Sequence, residues 1–308
     1  MLSRYALPAG AILLASLIAG CQPHEAIAKT SATAVSGAQQ QALKTVVFNP
    51  GEQAIFAVSS VLVEGNKDAV LIDAQFSAEQ ARKLAEQIKA SGKRLTTIYI
   101  SHGDPDYYFG LDTLHAAFPE AKILATPQTI AHIEETKAEK LKIWGPQLGA
   151  NAPKTLIVPQ PLVGDTIELE GQPLKIIGLN GPTPDRTFVW IPSIRTVAGG
   201  IPVQAGEHVW MADTQTAKSH IDWLATLAQI KALSPRVVIP GHFVGQMPAG
   251  VQAVDFTADY IRAFDKAAAK AKNSAALIKA MNARYPGLGG EGSLELSAKV
   301  AKGEMAWK

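Results

Sequence analysis

The stretch that decides the fold reads Ile-Tyr-Ile-Ser-His-Gly-Asp-Pro-Asp-Tyr-Tyr-Phe-Gly and runs from Ile98 to Gly110. It begins with an apolar, β-branched run that is typical of a buried strand. His102, Asp104 and Asp106 then follow at every second position. Because glycine and proline interrupt this segment, the pattern predicts a loop in which the three side chains can converge. Imidazole and carboxylate groups so placed suit a divalent metal such as zinc. A polar turn, whose aspartates only hydrogen-bond their own backbone, is the alternative interpretation.

Length and composition describe a globular protein. The chain has 308 residues, of which 47% are hydrophobic and 18% are charged, and this balance is typical of a domain with a substantial core. One large α/β domain with appendages is compatible with this length. The net charge is only +2 and aromatic residues make up 6% of the chain. The composition therefore gives no indication of a nucleic-acid interface.

The first twenty residues are typical of a secretion signal. An apolar stretch, residues 6–19, follows an early positive charge and is too short to span a bilayer comfortably. Ile-Ala-Gly then precedes the only cysteine of the chain, Cys21, which resembles the lipobox of bacterial lipoproteins, where the cysteine is lipidated. An ordinary buried cysteine is the alternative. We expect a lipoprotein signal peptide at 1–20 and a lipid anchor in the bacterial cell envelope; Gln22 implies the outer membrane, on its periplasmic side, if the organism has one.

The rest of the chain divides into three segments. Residues 21–43 are rich in Ala, Ser, Thr and Gln and are predicted to be a flexible tether. Residues 44–250 are predicted to form the folded domain, and residues 251–308 to form helices that pack on it. The predicted strands are Val46–Phe48, Ile55–Glu64, Ala69–Asp73, Thr96–Ile100, Lys122–Ala125, Ile167–Leu169, Leu174–Leu179, Thr187–Ile191, Arg195–Ala198 and Arg236–Ile239. The predicted helices are Ala78–Ser91, Asp112–Phe118, Pro127–Lys142, Ser219–Leu233, Val254–Ala271, Ser274–Ala283 and Leu294–Lys302.

The order of these landmarks resembles the metallo-β-lactamase fold superfamily. Paired strands that end in Asp73, the loop that begins at His102 and the Pro240-Gly241-His242 turn occur in the order found in that family. The resemblance implies an α/β fold, a four-layer αββα sandwich with metals at one edge of the sheets, followed here by a C-terminal helical extension. Most members of the family are zinc-dependent hydrolases of lactams, lactones, thioesters or phosphoesters.

The metal motif of the family is matched unevenly. It reads His-x-His-x-Asp-His, followed by a later His, a bridging Asp and a final His, and this chain keeps His102, Asp106 and His242 at matching positions. Proline and glycine have no side-chain donor, so an ordinary two-metal centre is not expected. Four ligands of the family motif are replaced in this chain: Asp104 stands in place of the second His, Tyr107 in place of the third, Pro182 in place of the later His and Gly200 in place of the bridging Asp.

Two imidazoles and two carboxylates remain, from His102, Asp104, Asp106 and His242. Four such ligands could hold a divalent metal, for which zinc is the first choice and one ion is expected rather than two. A water acidified by that metal would be a hydrolytic nucleophile, and Asp104 or Asp106 would be the base that takes its proton.

Further residues near these motifs are candidates for contact with a substrate or a metal. His208, Tyr107 and Asp213 are possible substrate-binding residues or extra ligands, although Asp213 could instead cap the next helix. The resemblance implies that Asp73 supports the metal loop by hydrogen bonds without binding the metal. The other histidines are assigned to packing or to solvent: His24, His115, His132 and His220.

These interpretations predict a membrane-anchored, extracytoplasmic hydrolase with a reduced or rearranged metal site, acting on a small ester, lactone, amide or related substrate. The competing hypothesis keeps the fold and discards catalysis, leaving a metal-free lipoprotein that binds a small molecule or a protein. An envelope interaction module that uses the tether and the C-terminal helices is a third possibility. The sequence names neither a substrate nor a protein partner, because one scaffold supports many chemistries.

Overall fold

The structure, a computed structural model, describes residues 41–307. This part of the chain begins with a six-stranded sheet. The predicted signal peptide, Cys21 and nearly all of the predicted tether lie outside the described residues. The first three strands are antiparallel and the next three continue in parallel. In sheet order they are β1 (Lys44–Phe48), β2 (Ser60–Glu64), β3 (Asp68–Ile72), β4 (Arg94–Ile100), β5 (Lys122–Ala125) and β6 (Gln160–Pro161).

The second sheet has five strands, formed by β7 (Thr166–Leu169), β8 (Gln172–Ile177), β9 (Phe188–Ile191), β10 (Thr196–Ala198) and β12 (Val237–Val238), with β12 next to β10. A short parallel pair, β11 (Gln204–Ala205) with β13 (His242–Phe243), lies beyond it. The two large sheets share one apolar core, to which Val63 and Ile72 contribute from the first sheet and Ile176 and Val189 from the second. They therefore pack face to face.

Helices cover both outer faces of this sandwich. The four helices that end before residue 150 pack on the first sheet, and the four later helices share a core with β9 and β10 of the second sheet. This arrangement is the four-layer αββα sandwich that the sequence predicted, with the C-terminal helices packed on it. The helices are α1 (Ala78–Ala90), α2 (Pro105–Tyr108), α3 (Leu111–Ala117), α4 (Pro127–Leu148), α5 (Ala217–Ala232), α6 (Gln252–Lys270), α7 (Ser274–Arg284) and α8 (Glu291–Ala301).

Helix α1 shows why the sequence specifies these elements. Its N-terminus is a capping box in which the Ser77 hydroxyl accepts from the Gln80 N–H and the Gln80 side chain accepts from the Ser77 N–H, which pairs two otherwise free donors. Its buried residues, Ala81, Leu84, Ala85 and Ile88, recur at helical spacing. The predicted range, Ala78–Ser91, differs from the observed one by a single residue.

The predicted strand Ile55–Glu64 is too long, because only its second half belongs to β2. The preceding residues pair with the turn that carries the last histidine. The Ser59 N–H donates to the Gly241 carbonyl over 2.7 Å, and Val58 forms a bridge with His242. This contact holds His242 against the end of the first sheet.

Two helix boundaries differ from the prediction by three residues or more. Helix α8 begins three residues before the predicted Leu294, because Gly290 takes a φ of 73° and turns the chain into the helix, a conformation that glycine adopts without strain. Helix α4 continues past Lys142 to Leu148 with Pro146 inside it. Within residues 41–307, no helix is both long and apolar enough to cross a membrane.

Candidate functional site

Asp73 holds the loop that follows β4. Its carboxylate accepts from the Ser101 N–H over 2.8 Å and from the Ser101 hydroxyl over 2.6 Å, and the same hydroxyl accepts from the Gly200 N–H. Burial raises the pKa of Asp73 to about 7, although the bonds from Ser101 act to lower it. Asp73 thus fastens the residue before His102 to the second sheet. The Asp73 carboxylate accepts these hydrogen bonds from Ser101 and not from His102 or His242.

The first acid–imidazole pair joins His102 to Asp104. Their Nε2 and Oδ2 atoms are 3.1 Å apart, and the Lys140 ammonium lies 3.4 Å from the other Asp104 oxygen. His132, which the sequence assigned to packing, also faces this carboxylate over 3.9 Å. Burial acts to raise the pKa of Asp104, but His102, His132 and Lys140 outweigh it and hold that pKa well below its usual range. Asp104 is therefore a firmly ionised group and a poor proton acceptor.

The second pair joins His242 to Asp106, with 3.0 Å between Nε2 and Oδ2. The other ring nitrogen of His242 lies 3.7 Å from Glu207 Oε1. Burial acts to lower the pKa of His242, but the bond to Asp106 and the charges of the nearby carboxylates raise it overall. Burial also raises the pKa of Glu207, against the effect of His242. His242 therefore favours its protonated form, and the neighbouring Glu207 carboxylate has an increased basicity.

Tyr107 lies between the two pairs. Its ring centroid is 5.2 Å from that of His102 and 5.7 Å from that of His242. The side chain is fully buried, and its hydroxyl has no hydrogen-bond partner among the described residues. A Cβ atom at Gly241 would lie only 2.9 Å from this hydroxyl, so the turn needs glycine here. Tyr107 was predicted as a possible substrate contact, but it does not line the cleft described next and instead separates the two imidazoles.

A cleft of about 380 Å³ opens over the second pair and reaches the carboxylate of Asp104. Its floor is polar, with Asp106, His242, Glu207 and Gln204, and Lys140 stands at its side. Its walls are largely apolar and aromatic, and such a combination is typical of a small-molecule site. The aromatic wall residues are Phe56, Trp144, Trp210 and Trp307.

Asp213 positions two of these tryptophans. One carboxylate oxygen accepts from Trp210 Nε1 over 2.5 Å, and the other accepts from Trp307 Nε1 over 2.7 Å. Lys140 Nζ lies 5.1 Å from the centroid of the Trp307 ring, so this wall also contacts the group that pairs with Asp104. Asp213 also lines a smaller pocket of about 220 Å³, together with Asp104, His102 and His132.

The predicted metal ligands do not converge. Within residues 41–307, no group of three or more His, Cys, Asp or Glu side chains could hold a metal ion. Instead, each predicted histidine ligand makes its shortest carboxylate contact with a different aspartate, His102 with Asp104 and His242 with Asp106, and the Lys140 ammonium competes for Asp104. A cation beside a ligand carboxylate disfavours a second cation there. The side chains present do not fit the single-ion site that the sequence predicted with His102, Asp104, Asp106 and His242.

Two further histidines differ in position from the predictions. His208, predicted as a possible substrate or metal contact, is buried in the C-terminal core, where Nδ1 lies 2.9 Å from the Tyr260 hydroxyl. It does not line the cleft. The assignment of His220 to solvent is wrong, because the residue is buried and its Nδ1 lies 2.6 Å from Asp265 Oδ1. Both rings face the core because neighbouring helices cover them.

The sequence prediction missed Glu207, Gln204 and Lys140. Glu207 directly precedes His208, and neighbouring residues in an extended chain point to opposite sides. Placing His208 in the core would therefore have placed Glu207 in the cleft. Lys140 lies within a helix whose polar residues give no local signal, and the tryptophans come from segments far apart in the sequence. No spacing rule connects them.

Comparison with known families supports the fold. Residues 55–242 match the family model described as the metallo-beta-lactamase superfamily, whose members generally bind zinc. One curated relative, an uncharacterized protein YobT of Bacillus subtilis (strain 168), is 33% identical over 86 residues, which is 28% of this chain and 35% of the relative. The match thus spans about a third of the length of that relative.

Solved structures resemble the chain over most of its length. A metallo-beta-lactamase family protein from Thermus thermophilus aligns with a TM-score of 0.60 at 15% identity, covering 84% of this chain and 91% of that one. A metallo-beta-lactamase from Pontibacter korlensis gives 0.53 at 18% identity, with 72% and 95% covered. The DIM-1 metallo-beta-lactamase gives 0.52 at 16% identity, with 73% and 99% covered. At these identities the likeness concerns the fold alone.

Proposed function

This chain belongs to the metallo-beta-lactamase superfamily, and on that premise we propose that it hydrolyses a small ester, lactone or amide in the aromatic-walled cleft. Membership of the superfamily suggests a hydrolase-like function. The observation that carries the proposal is the group formed by Asp106, His242 and Glu207 on the cleft floor, with separations of 3.0 and 3.7 Å. General acid–base catalysis commonly uses two titratable groups whose pKa values are shifted by burial and by each other.

The chemistry can be assigned to this chain's own side chains. Glu207, whose pKa is raised by burial, accepts a proton from a water molecule as that water's oxygen bonds to the substrate carbonyl carbon. His242, whose pKa is raised by Asp106 and the other carboxylates against burial, donates its proton to the leaving oxygen or nitrogen as the bond to the carbonyl carbon breaks. The proton on Glu207 then returns to His242, which restores both groups. Asp106 orients the imidazole.

A specific observation also favours a second candidate function, which is binding without catalysis. The side chains described in residues 41–307 do not fit a metal site, whereas the cleft keeps three tryptophans and a phenylalanine in its walls. A cleft of this kind could hold a small flat molecule and release it unchanged. The two functions differ in whether a bound carbonyl compound is cleaved.

The experiment that separates them is a hydrolysis panel. Purified protein is incubated with 4-nitrophenyl acetate, dihydrocoumarin, 4-nitroacetanilide and a chromogenic β-lactam, each beside a Glu207→Gln variant prepared in the same way. We expect at least one compound to be cleaved faster by the unaltered protein than by the variant. Equal rates for the two proteins on every compound would reject hydrolysis and leave the binding function.

We further propose that Cys21 carries a lipid that anchors the cleft to a membrane of the cell envelope. The proposal rests on the apolar stretch and the small residues before Cys21, which are features of a lipoprotein signal. A Cys21→Ser substitution should move the protein from the membrane fraction to the soluble fraction after cell lysis. An unchanged membrane share in that variant would contradict lipid anchoring.

A further inference from the structure

Gln204 lines the cleft, and its side chain carries a buried hydrogen-bond donor that the described residues do not use. Its side-chain oxygen accepts from the Trp210 backbone N–H over 3.0 Å. Because that backbone group can only donate, the atom facing it must be the amide oxygen, and the amide nitrogen must lie on the other side. This nitrogen, Nε2, has no hydrogen-bond partner among the described residues.

The position of Gln204 is fixed by its backbone. Its N–H donates to the Thr257 hydroxyl over 3.0 Å, and its carbonyl accepts from the same hydroxyl over 2.8 Å. The residue is 1% exposed. A buried amide with an unused donor costs free energy unless something supplies an acceptor. A side chain held this firmly keeps its donor in one place for a ligand to meet.

Gln204 also lies beside the acid–imidazole pair. Strands β11 and β13 are parallel, and Gln204 is the direct partner of His242 in their register. Side chains of directly paired residues emerge on the same face of a sheet. Both residues line the cleft together with Glu207. An acceptor atom bound to Gln204 would therefore be a neighbour of the groups assigned to proton transfer.

We propose that Gln204 binds the carbonyl oxygen of the substrate, and that the substrate is a neutral carbonyl compound with a flat apolar group. The carbonyl oxygen is the acceptor that Nε2 lacks, and Trp144, Trp210 and Phe56 line the cleft, where their rings offer aromatic faces to the apolar group. This inference rests on the proposed function, because the bound carbonyl is taken to be the group that is hydrolysed. Its test is binding, so that it can be judged separately from hydrolysis.

The test uses 4-phenylbutan-2-one, a ketone that cannot be hydrolysed, and follows its binding by quenching of tryptophan fluorescence. Gln204→Glu keeps an oxygen for the Trp210 N–H but replaces the donor with a carboxylate oxygen and adds a charge, whereas Gln204→Met removes both the donor and that oxygen without adding charge. We expect the Kd of each variant to rise about tenfold, which corresponds to the loss of one hydrogen bond. Butylbenzene, which lacks the oxygen, should bind equally to all three proteins.

The matched control is Gln87→Glu, because the Gln87 amide nitrogen in α1 is also without a partner among the described residues but lies outside the cleft. Its Kd for the ketone should equal that of the unaltered protein. Circular dichroism and the unfolding midpoint confirm that each variant is folded, and if one variant fails to fold the other decides. Ketone binding that is unaffected by the folded Gln204 variants would overturn the inference.

The result of the ketone-binding test can be distinguished from the result of the hydrolysis panel. If Gln204 controls ketone binding but no panel compound is hydrolysed, the carbonyl site stands and the hydrolase does not. If a panel compound is hydrolysed, Gln204→Met should raise its KM more than it lowers kcat, because the donor mainly holds the substrate. Hydrolysis with an unchanged KM in this variant would leave the hydrolase standing and reject the carbonyl site.

Discussion

Replacing Glu207 with glutamine is expected to lower kcat for any hydrolysed panel compound by about 10² to 10⁴-fold, the usual contribution of a general base. The amide has nearly the same shape but cannot accept a proton from water. Glu207 is buried and faces His242 over 3.7 Å, whereas Asp106, the other carboxylate of this group, already pairs with His242 over 3.0 Å. The measurement is the initial rate at saturating substrate, with KM determined in the same series.

The control for this prediction is Glu168→Gln. Glu168 is an exposed residue of β7, so the same chemical change there should leave the rate unchanged. The Glu207 variant should unfold at the same denaturant concentration as the unaltered protein or a higher one, because an amide is cheaper to bury than a carboxylate. A Glu207→Gln variant that is folded and fully active would show that the base lies elsewhere.

Replacing Asp73 with alanine is expected to reduce the free energy of unfolding by about 2 to 4 kcal/mol at pH 6, because two buried donors of Ser101 lose their acceptor. Both bonds are short, at 2.8 and 2.6 Å. Asp73 also has a φ of 65°, a region that alanine disfavours. Urea unfolding measures the loss, and Asp259→Ala, at an exposed ion pair on α6, should change stability by less than about 1 kcal/mol.

The same residue should make stability depend on pH. Burial raises the pKa of Asp73 from 3.8 to about 7 in the folded protein, against the lowering effect of the Ser101 bonds. A group whose pKa is higher in the folded state stabilises it below the unfolded pKa, and this contribution is lost as pH rises through the folded pKa. Between pH 5 and pH 8 the loss should be about 3 kcal/mol.

An Asp73→Asn variant has no carboxyl group to ionise and should lack this part of the decline. The quantity to compare is the difference in unfolding free energy between pH 5 and pH 8 for the two proteins. An equal decline in both would show that Asp73 is ionised throughout that range and that the Ser101 bonds outweigh burial. The expected result is a shallower pH dependence in the variant.

Much of the fold could be predicted because it depends on local patterns. The period of apolar residues in β4 and α1, and the Pro240-Gly241-His242 turn, are all visible in short windows of sequence. The length of the strand before Glu64 could not be predicted, because residues 55–59 are apolar enough for a strand. They pair instead with the turn at His242, and that contact joins segments nearly two hundred residues apart.

The candidate site was predicted only in part, for a physical reason. His102, Asp104, Asp106 and His242 all lie at one end of the sheets, but spacing alone cannot say whether two acids and two imidazoles converge on one point or form two pairs. Neighbouring side chains decide between these two arrangements. Tyr107 lies between the rings, and the Lys140 ammonium is bound to one of the carboxylates.

The cleft walls were beyond the reach of sequence patterns. Trp144, Trp210 and Trp307 come from α4, from the segment after β11 and from the end of the chain. Asp213, predicted as an extra ligand or a helix cap, instead accepts from two of these indoles. A short acidic residue that fixes aromatic side chains from two segments has no local signature.

The central claim is that Glu207 and the Asp106–His242 pair on the cleft floor act on a substrate without a metal ion. The most direct measurement combines elemental analysis with the hydrolysis rate, before and after dialysis against a chelator. We expect less than about 0.1 equivalent of metal and an unchanged rate on the best panel compound. A stoichiometric metal, with a rate that disappears on chelation and returns when zinc is added, would contradict the claim.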